Sequence, residues 1–136
     1  MDFVKSIAIA ASGLKAQAGR MRVVAENIAN ASSTASVKGG DPYRRKIATM
    51  KQDFDHELSA NLVQAGKPLN DKSDFKSQYD PGNPLADAQG YVKLPNVDSL
   101  VEIMDMREAQ RSYEADLSVM DSTKQMLAKT VDLLNK

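Results

Sequence analysis

Asp53, His56 and Glu57 are the one place in this 136-residue chain where an imidazole and carboxylates fall within a single potential helical turn. Such a group could bind a metal or move a proton. A metal centre, however, needs a third and usually a fourth ligand in fixed geometry, and the chain offers no second histidine and no cysteine. A histidine-dependent triad meets the same shortage: serine and aspartate are plentiful, but nothing marks any serine as sitting on a strained turn. The expected role of the cluster is a solvated charged face, with no catalytic residue, no metal and no cofactor.

Three other groups invite a chemical reading. Asp71, Asp74, Asp80 and Asp87 are acidic, but their spacing does not match a calcium loop, and Lys72 and Lys76 sit among them. Gly66-Lys67 lacks the upstream glycine of a phosphate-binding loop and is followed by proline, which supplies no amide donor. Tyr43 with Arg44-Arg45-Lys46 forms a small basic patch that could touch phosphate. Nearby Asp41 and the exact balance of 18 basic and 18 acidic residues favour an ordinary charged edge and argue against nucleic acid as a partner.

The elements that would carry these groups are mostly helical, with few large side chains to fill a core. Only three Phe and four Tyr are present, and no Trp. In the first segment Ile7, Ala11, Leu14, Ala18, Met21, Ala25 and Ile28 recur at alternating spacings of four and three, which is a heptad seam with alanine at every second position. Gly13 and Gly19 lower its helix propensity by about 1 kcal/mol each, so this helix needs a partner. After Pro95, a second seam runs Ile103, Met106, Gln110, Tyr113, Leu117, Met120, Lys124, Leu127, Val131, Leu134, with Asn96, or Ser99 together with Glu102, as its expected cap. Gln110 and Lys124 are its polar exceptions, of a kind that selects register or, for lysine, reaches out to solvent. The first helix carries four basic residues against one acidic, and Val97–Lys136 five basic against eight acidic, so the two ends attract.

The fold expected is mainly α: two long terminal helices, residues 1–30 and 96–136, pairing antiparallel as a coiled coil around an irregular middle, residues 31–95. In that middle Arg45, Ile47 and Thr49 alternate as one short strand, and Gly90-Tyr91-Val92-Lys93-Leu94-Pro95 reads as an edge strand. Asp53 to Val63 has weak helical spacing through Phe54, Leu58 and Leu62 and is expected to be helix or loop. The apolar run Ile7–Ala11 breaks at Ser12-Gly13, which disfavours a cleaved signal peptide, and no stretch is long enough to span a bilayer. The seam residues other than Gln110 and Lys124 are the candidate interface for assembly with copies or relatives.

The same residues carry a resemblance. Ala11-Ser-Gly-Leu-Lys-Ala-Gln with Arg20-Met-Arg-Val-Val-Ala-Glu-Asn-Ile-Ala-Asn30 resembles the N-terminal signature of the bacterial flagellar rod, hook and hook-junction proteins. Asn96-Val-Asp-Ser-Leu-Val-Glu-Ile-Met-Asp-Met106 followed by Ala109-Gln-Arg-Ser-Tyr-Glu-Ala115 is similar to the C-terminal signature of that family. Gly40-Asp-Pro-Tyr-Arg-Arg-Lys46, Tyr79-Asp-Pro-Gly-Asn-Pro84 and Gly90–Pro95 resemble its proximal-rod members in particular. The resemblance implies a non-enzymatic subunit of the rod, the drive shaft that crosses the periplasm and passes torque to the hook. It also implies export by the flagellar type III apparatus without a cleaved signal peptide. The implied partners are copies of itself, other rod proteins, a junction protein at the rod base and the membrane ring. The heptads alone equally suit a cytosolic helical-hairpin adaptor or chaperone-like protein, which would stay soluble where a rod subunit would fractionate with basal bodies.

Overall fold

The computed structural model of the chain describes residues 2–134, so Met1 of the expected 1–30 helix and the last two positions of the expected 96–136 helix lie outside the described residues. Two long helices flank a middle of short antiparallel strands. Helix α1 spans Phe3–Ala29 and α2 spans Ser99–Leu134; between them lie β1 (Lys46–Ile47), β2 (Met50–Asp55), β3 (Ala60–Ala65), β4 (Leu69–Asn70), β5 (Lys76–Tyr79) and β6 (Tyr91–Leu94). Among the described residues the strands pair two by two, β1 with β4, β2 with β3 and β5 with β6, all antiparallel.

The helix ends follow local chemistry. Asp2 caps α1: its carboxylate accepts the Lys5 amide at 3.1 Å, and a negative charge there also suits the positive end of the helix dipole. Asn30 closes the far end by donating its side-chain amide to the Glu26 carbonyl at 2.8 Å. The cap of α2 is neither Asn96 nor Ser99. Asp98 takes that place, accepting the Leu100 amide at 3.0 Å, because an aspartate directly before the first helical residue outcompetes an asparagine two positions further away. Asn96 and Glu102 are both buried and serve elsewhere.

The chain forms two compact units, and each helix contributes to both. One unit joins α1 up to Met21, the hairpin within Thr49–Lys67 and α2 from Arg107 onward. Its hairpin pairs Met50 with Ala65 through Asp55 with Ala60, in the stretch expected to be helix or loop. Asp55 causes the reversal: its carboxylate accepts the amides of Glu57 and Leu58 at 2.9 and 3.0 Å, and Ser59 takes a left-handed conformation at φ 46°. The Phe54, Leu58, Leu62 spacing is therefore not helical. Small residues let the hairpin and α2 approach α1 closely. A methyl group on Gly19 would lie 2.8 Å from the Cβ of Ala65, and one on Gly13 would lie 2.5 Å from Oδ2 of Asp116. The Val63 amide donates to Ser12 Oγ at 3.2 Å, Lys5 Nζ donates to the Ser59 carbonyl at 3.1 Å, and Arg20 meets Glu108 at 3.5 Å.

The other unit joins Arg22–Ala48 with Pro68–Met106. Its apolar core is Val23, Val24, Ala86, Val92, Pro95 and Val97. The strand expected at Arg45 to Thr49 is realised as β1, and the one at Gly90 to Pro95 as β6, paired with β5 in a register that sets Tyr79 against Tyr91 edge to face at 5.3 Å. The turn before β6 is fixed by Asp87, which accepts the amides of Gln89 and Tyr91, and by Gly90 at φ 84°, a conformation that glycine adopts freely.

Candidate functional site

The most elaborate polar site lies at the start of α2. Glu102 has no exposed surface, and a carboxylate removed from water in this way is stable only when its oxygens are satisfied. Arg45 Nε donates to one oxygen at 2.6 Å and Asn27 Nδ2 to the other at 3.0 Å. Asn27 is equally enclosed, and its carboxamide is fully used: Nδ2 also donates to the Lys46 carbonyl at 2.8 Å, while Oδ1 accepts the Lys46 amide at 2.9 Å and the Tyr43 hydroxyl at 2.8 Å. One asparagine side chain on α1 thus captures both backbone polar groups of a residue on β1.

Arg45 ties in a second layer. Its Nη1 pairs with Asp71 at 3.2 Å, and its amide donates to Asn96 Oδ1 at 2.8 Å, whose Nδ2 donates to the hydroxyl and carbonyl of Ser73 at 2.9 and 3.1 Å. Arg44 stacks over the Phe75 ring at 4.2 Å and donates to the Asp71 and Ser73 carbonyls, and Lys46 pairs with Glu26. The electrostatics follow. Burial, then the Glu26 and Glu102 carboxylates, pushes the Tyr43 hydroxyl up to about 12. Asp71 is held below the usual carboxylate range by the amide and hydroxyl of Ser73 and, more weakly, by Arg45. Burial works to lower the Arg45 pKa, but the hydrogen bond and charge of Glu102, aided by Asp71, outweigh it and raise the value. The basic patch read from Tyr43 to Lys46 is therefore an internal clamp rather than a charged edge.

The polar groups at the centre of the clamp, on Asn27 and Glu102, are satisfied by one another and by their neighbours. The clamp joins Asn27, Tyr43, Arg45, Asn96 and Glu102, residues that fall within three of the segments carrying the flagellar resemblance. Glu102 escapes hydrophobic periodicity, since a glutamate in a first turn reads as a cap. The Asp53, His56, Glu57 group shows no such convergence: His56 lies edge-on to Phe54 at 5.1 Å, and Asp53 accepts a bond from Gln64 at 2.6 Å. Among the described residues no acidic, histidine or cysteine group could hold a metal ion, and no helix is long and apolar enough to cross a membrane.

The seam residues lie in two settings. Ile7, Ala11, Leu14, Met21 and Ile28 are half-buried, as are Met106, Tyr113 and Met120, whereas Ala18 and Ala25 are exposed. Ile103, Leu117, Leu127, Val131 and Leu134 are exposed as well, at 41, 42, 39, 47 and 81%. The buried positions fall on neighbouring faces: Ala10, Ala16, Val23, Val24 and Asn27 on α1, and Glu102, Ala109 and Thr123 on α2. Apart from Val23 and Val24 these are small or polar residues; α2 leaves most of its apolar stripe open, while that of α1 is half-covered.

Comparison with known sequences gives the family. Residues 7–35 match the family model described as flagella basal body rod protein, and residues 88–133 the one described as flagellar basal body rod FlgEFG protein C-terminal. Those two matches define the class, a flagellar basal-body rod protein. Across 93% of the chain and 91% of the relative, it is 52% identical to the flagellar basal-body rod protein FlgC of Agrobacterium fabrum. It is 41% identical to that of Salmonella typhimurium, over 92% of both, and 39% identical to that of Bacillus subtilis, over 98% and 99%. The chain belongs to the FlgC family of flagellar basal-body rod proteins, and it is a structural rod subunit rather than an enzyme.

Proposed function

We propose that this subunit builds the proximal part of the rod, with α1 and α2 packed antiparallel as a coiled-coil layer whose outward stripes join neighbouring subunits into a tubular wall that carries torque. The observation that carries this reading is the uncovered stripe of Ile103, Leu117, Leu127, Val131 and Leu134 on α2. Exposed apolar rows of this extent mark protein interfaces. Antiparallel packing is supported by contact order: Gly13 lies beside Asp116, whereas Arg20, further along α1, meets Glu108, earlier in α2. The opposite net charges of the two ends favour the same arrangement.

The half-buried Ile7, Leu14, Met21 and Ile28 would complete the wall from α1. Copies of this chain and other rod proteins are the immediate neighbours, with the junction protein and the membrane ring at the base. The subunit would stand in the periplasmic space after export by the flagellar type III apparatus, with no leader removed.

Leu14→Asp and Leu117→Asp should each prevent rod assembly, because each seats an unpaired charge in a packed seam. The measurement is motility and basal-body recovery in a flagellated host lacking its own relative of this chain. Normal rods from both variants would overturn the reading.

A further inference from the structure

The unit formed by the first part of α1, the β2–β3 hairpin and the later part of α2 holds a groove of about 460 Å³, within the size range of sites that enclose several side chains. Ile9, Ala16, Met50 and Val119 contribute apolar wall, while Gln17 and Asp116 supply polar groups. Gln17 Oε1 is buried and accepts no hydrogen bond. A buried acceptor left unmet is destabilising, so a donor arriving from outside would relieve that penalty. Asp116 forms no ion pair among the described residues, and its carboxylate lies against the backbone of Gly13. The groove therefore asks for an occupant that is apolar along its length and carries a cation.

The far end of α2 has that character. Every residue from Lys124 to Leu134 is exposed. Lys124, Leu127, Val131 and Leu134 share one face by helical spacing, and Lys124 makes no hydrogen bond or ion pair among the described residues. We propose that the end of α2 from a second copy lies in this groove, with its Lys124 ammonium between Asp116 and Gln17 Oε1 and its Leu127 and Val131 against the apolar wall. This rests on the rod-assembly reading and names one contact within it. A lysine in an otherwise apolar seam then sets the register between copies, since sliding by one turn would bury the cation without a partner.

The chain contains no cysteine, which makes site-directed cross-linking clean. Gln17→Cys in one tagged copy and Lys124→Cys in another should be joined by a flexible bismaleimide in rods isolated from cells making both, because a contact made through the long lysine and glutamine side chains holds the two Cα atoms beyond the reach of a direct disulfide. Separately, Asp116→Lys and Lys124→Asp should each lower rod yield about tenfold, and the double variant should restore most of it, as expected of a coupled pair. Circular dichroism of each purified variant separates misfolding from lost contact. Rods that form at normal yield, with no 17–124 bismaleimide cross-link and no response to either charge reversal, overturn the contact while leaving rod assembly intact. Charge reversals that reduce yield without recovery in the double variant also overturn it. Failure of the unmutated chain to enter rods would remove both readings.

Discussion

The guanidinium of Arg45 lies 2.6 Å from the carboxylate of Glu102, a side chain only 1% exposed. Removing one partner of such a pair strands the other. Arg45→Met should destabilise the protein by about 3–5 kcal/mol, while replacing both with apolar residues of similar volume should cost much less. Urea unfolding followed by circular dichroism checks this, and equal losses in the single and double variants would contradict it.

Tyr43 gives an alkaline signature. Its hydroxyl is raised from 10.0 to about 12 in the folded protein, so the native state holds its proton more tightly than the unfolded chain does. The associated stability is complete below pH 10.0 and disappears as pH rises through about 12. Tyr43→Phe should remove this alkaline loss and cost about 1 kcal/mol at neutral pH through the bond to Asn27. Thermal melts across that range, read beside tyrosinate absorbance, test both parts.

Asp71 behaves oppositely at the acid end. Its folded pKa lies below the ordinary 3.8, so its contribution is present above that value and is lost as pH falls through the lower folded pKa. Asp71→Asn should flatten the acid limb of the stability curve and leave the alkaline limb unchanged. An unaltered acid limb would show that other carboxylates set it.

Two glycines on α1 should respond differently to alanine, although the helix gains about 1 kcal/mol of propensity at each. At Gly13 the obstacle is the Asp116 carboxylate, the free end of a side chain that can rotate away. At Gly19 it is the Cβ of Ala65, which moves only with its strand. Gly13→Ala should therefore be near neutral in stability. Gly19→Ala should destabilise the protein and speed amide exchange in Met50–Ala65, which hydrogen-exchange mass spectrometry would detect.

The sequence revealed the two helices within a few residues because their apolar spacing is regular. It did not reveal which face each helix buries. Periodicity locates a hydrophobic stripe but not its cover, and apart from Val23 and Val24 the buried helix residues are Ala10, Ala16, Asn27, Glu102, Ala109 and Thr123, which contribute little apolar signal. The hairpin escaped notice for a related reason: both its strands are largely exposed, and a single carboxylate, Asp55, makes its turn. Asn27, Arg45 and Glu102 stand far apart in sequence as ordinary polar residues; only the signature segments that contain them hinted that they belong together.

The unequal lengths of the helices, 27 residues for α1 and 36 for α2, have a geometric consequence. Counting back residue for residue from Gly13 beside Asp116, Phe3 comes level with Met126, and the remaining turns of α2 have no counterpart on α1. In the unit that holds Gly13 and Asp116 the last turns of α2, with Leu127, Val131 and Leu134 exposed, form an overhang that α1 cannot cover, so its apolar surface stays available however tightly the two helices pack.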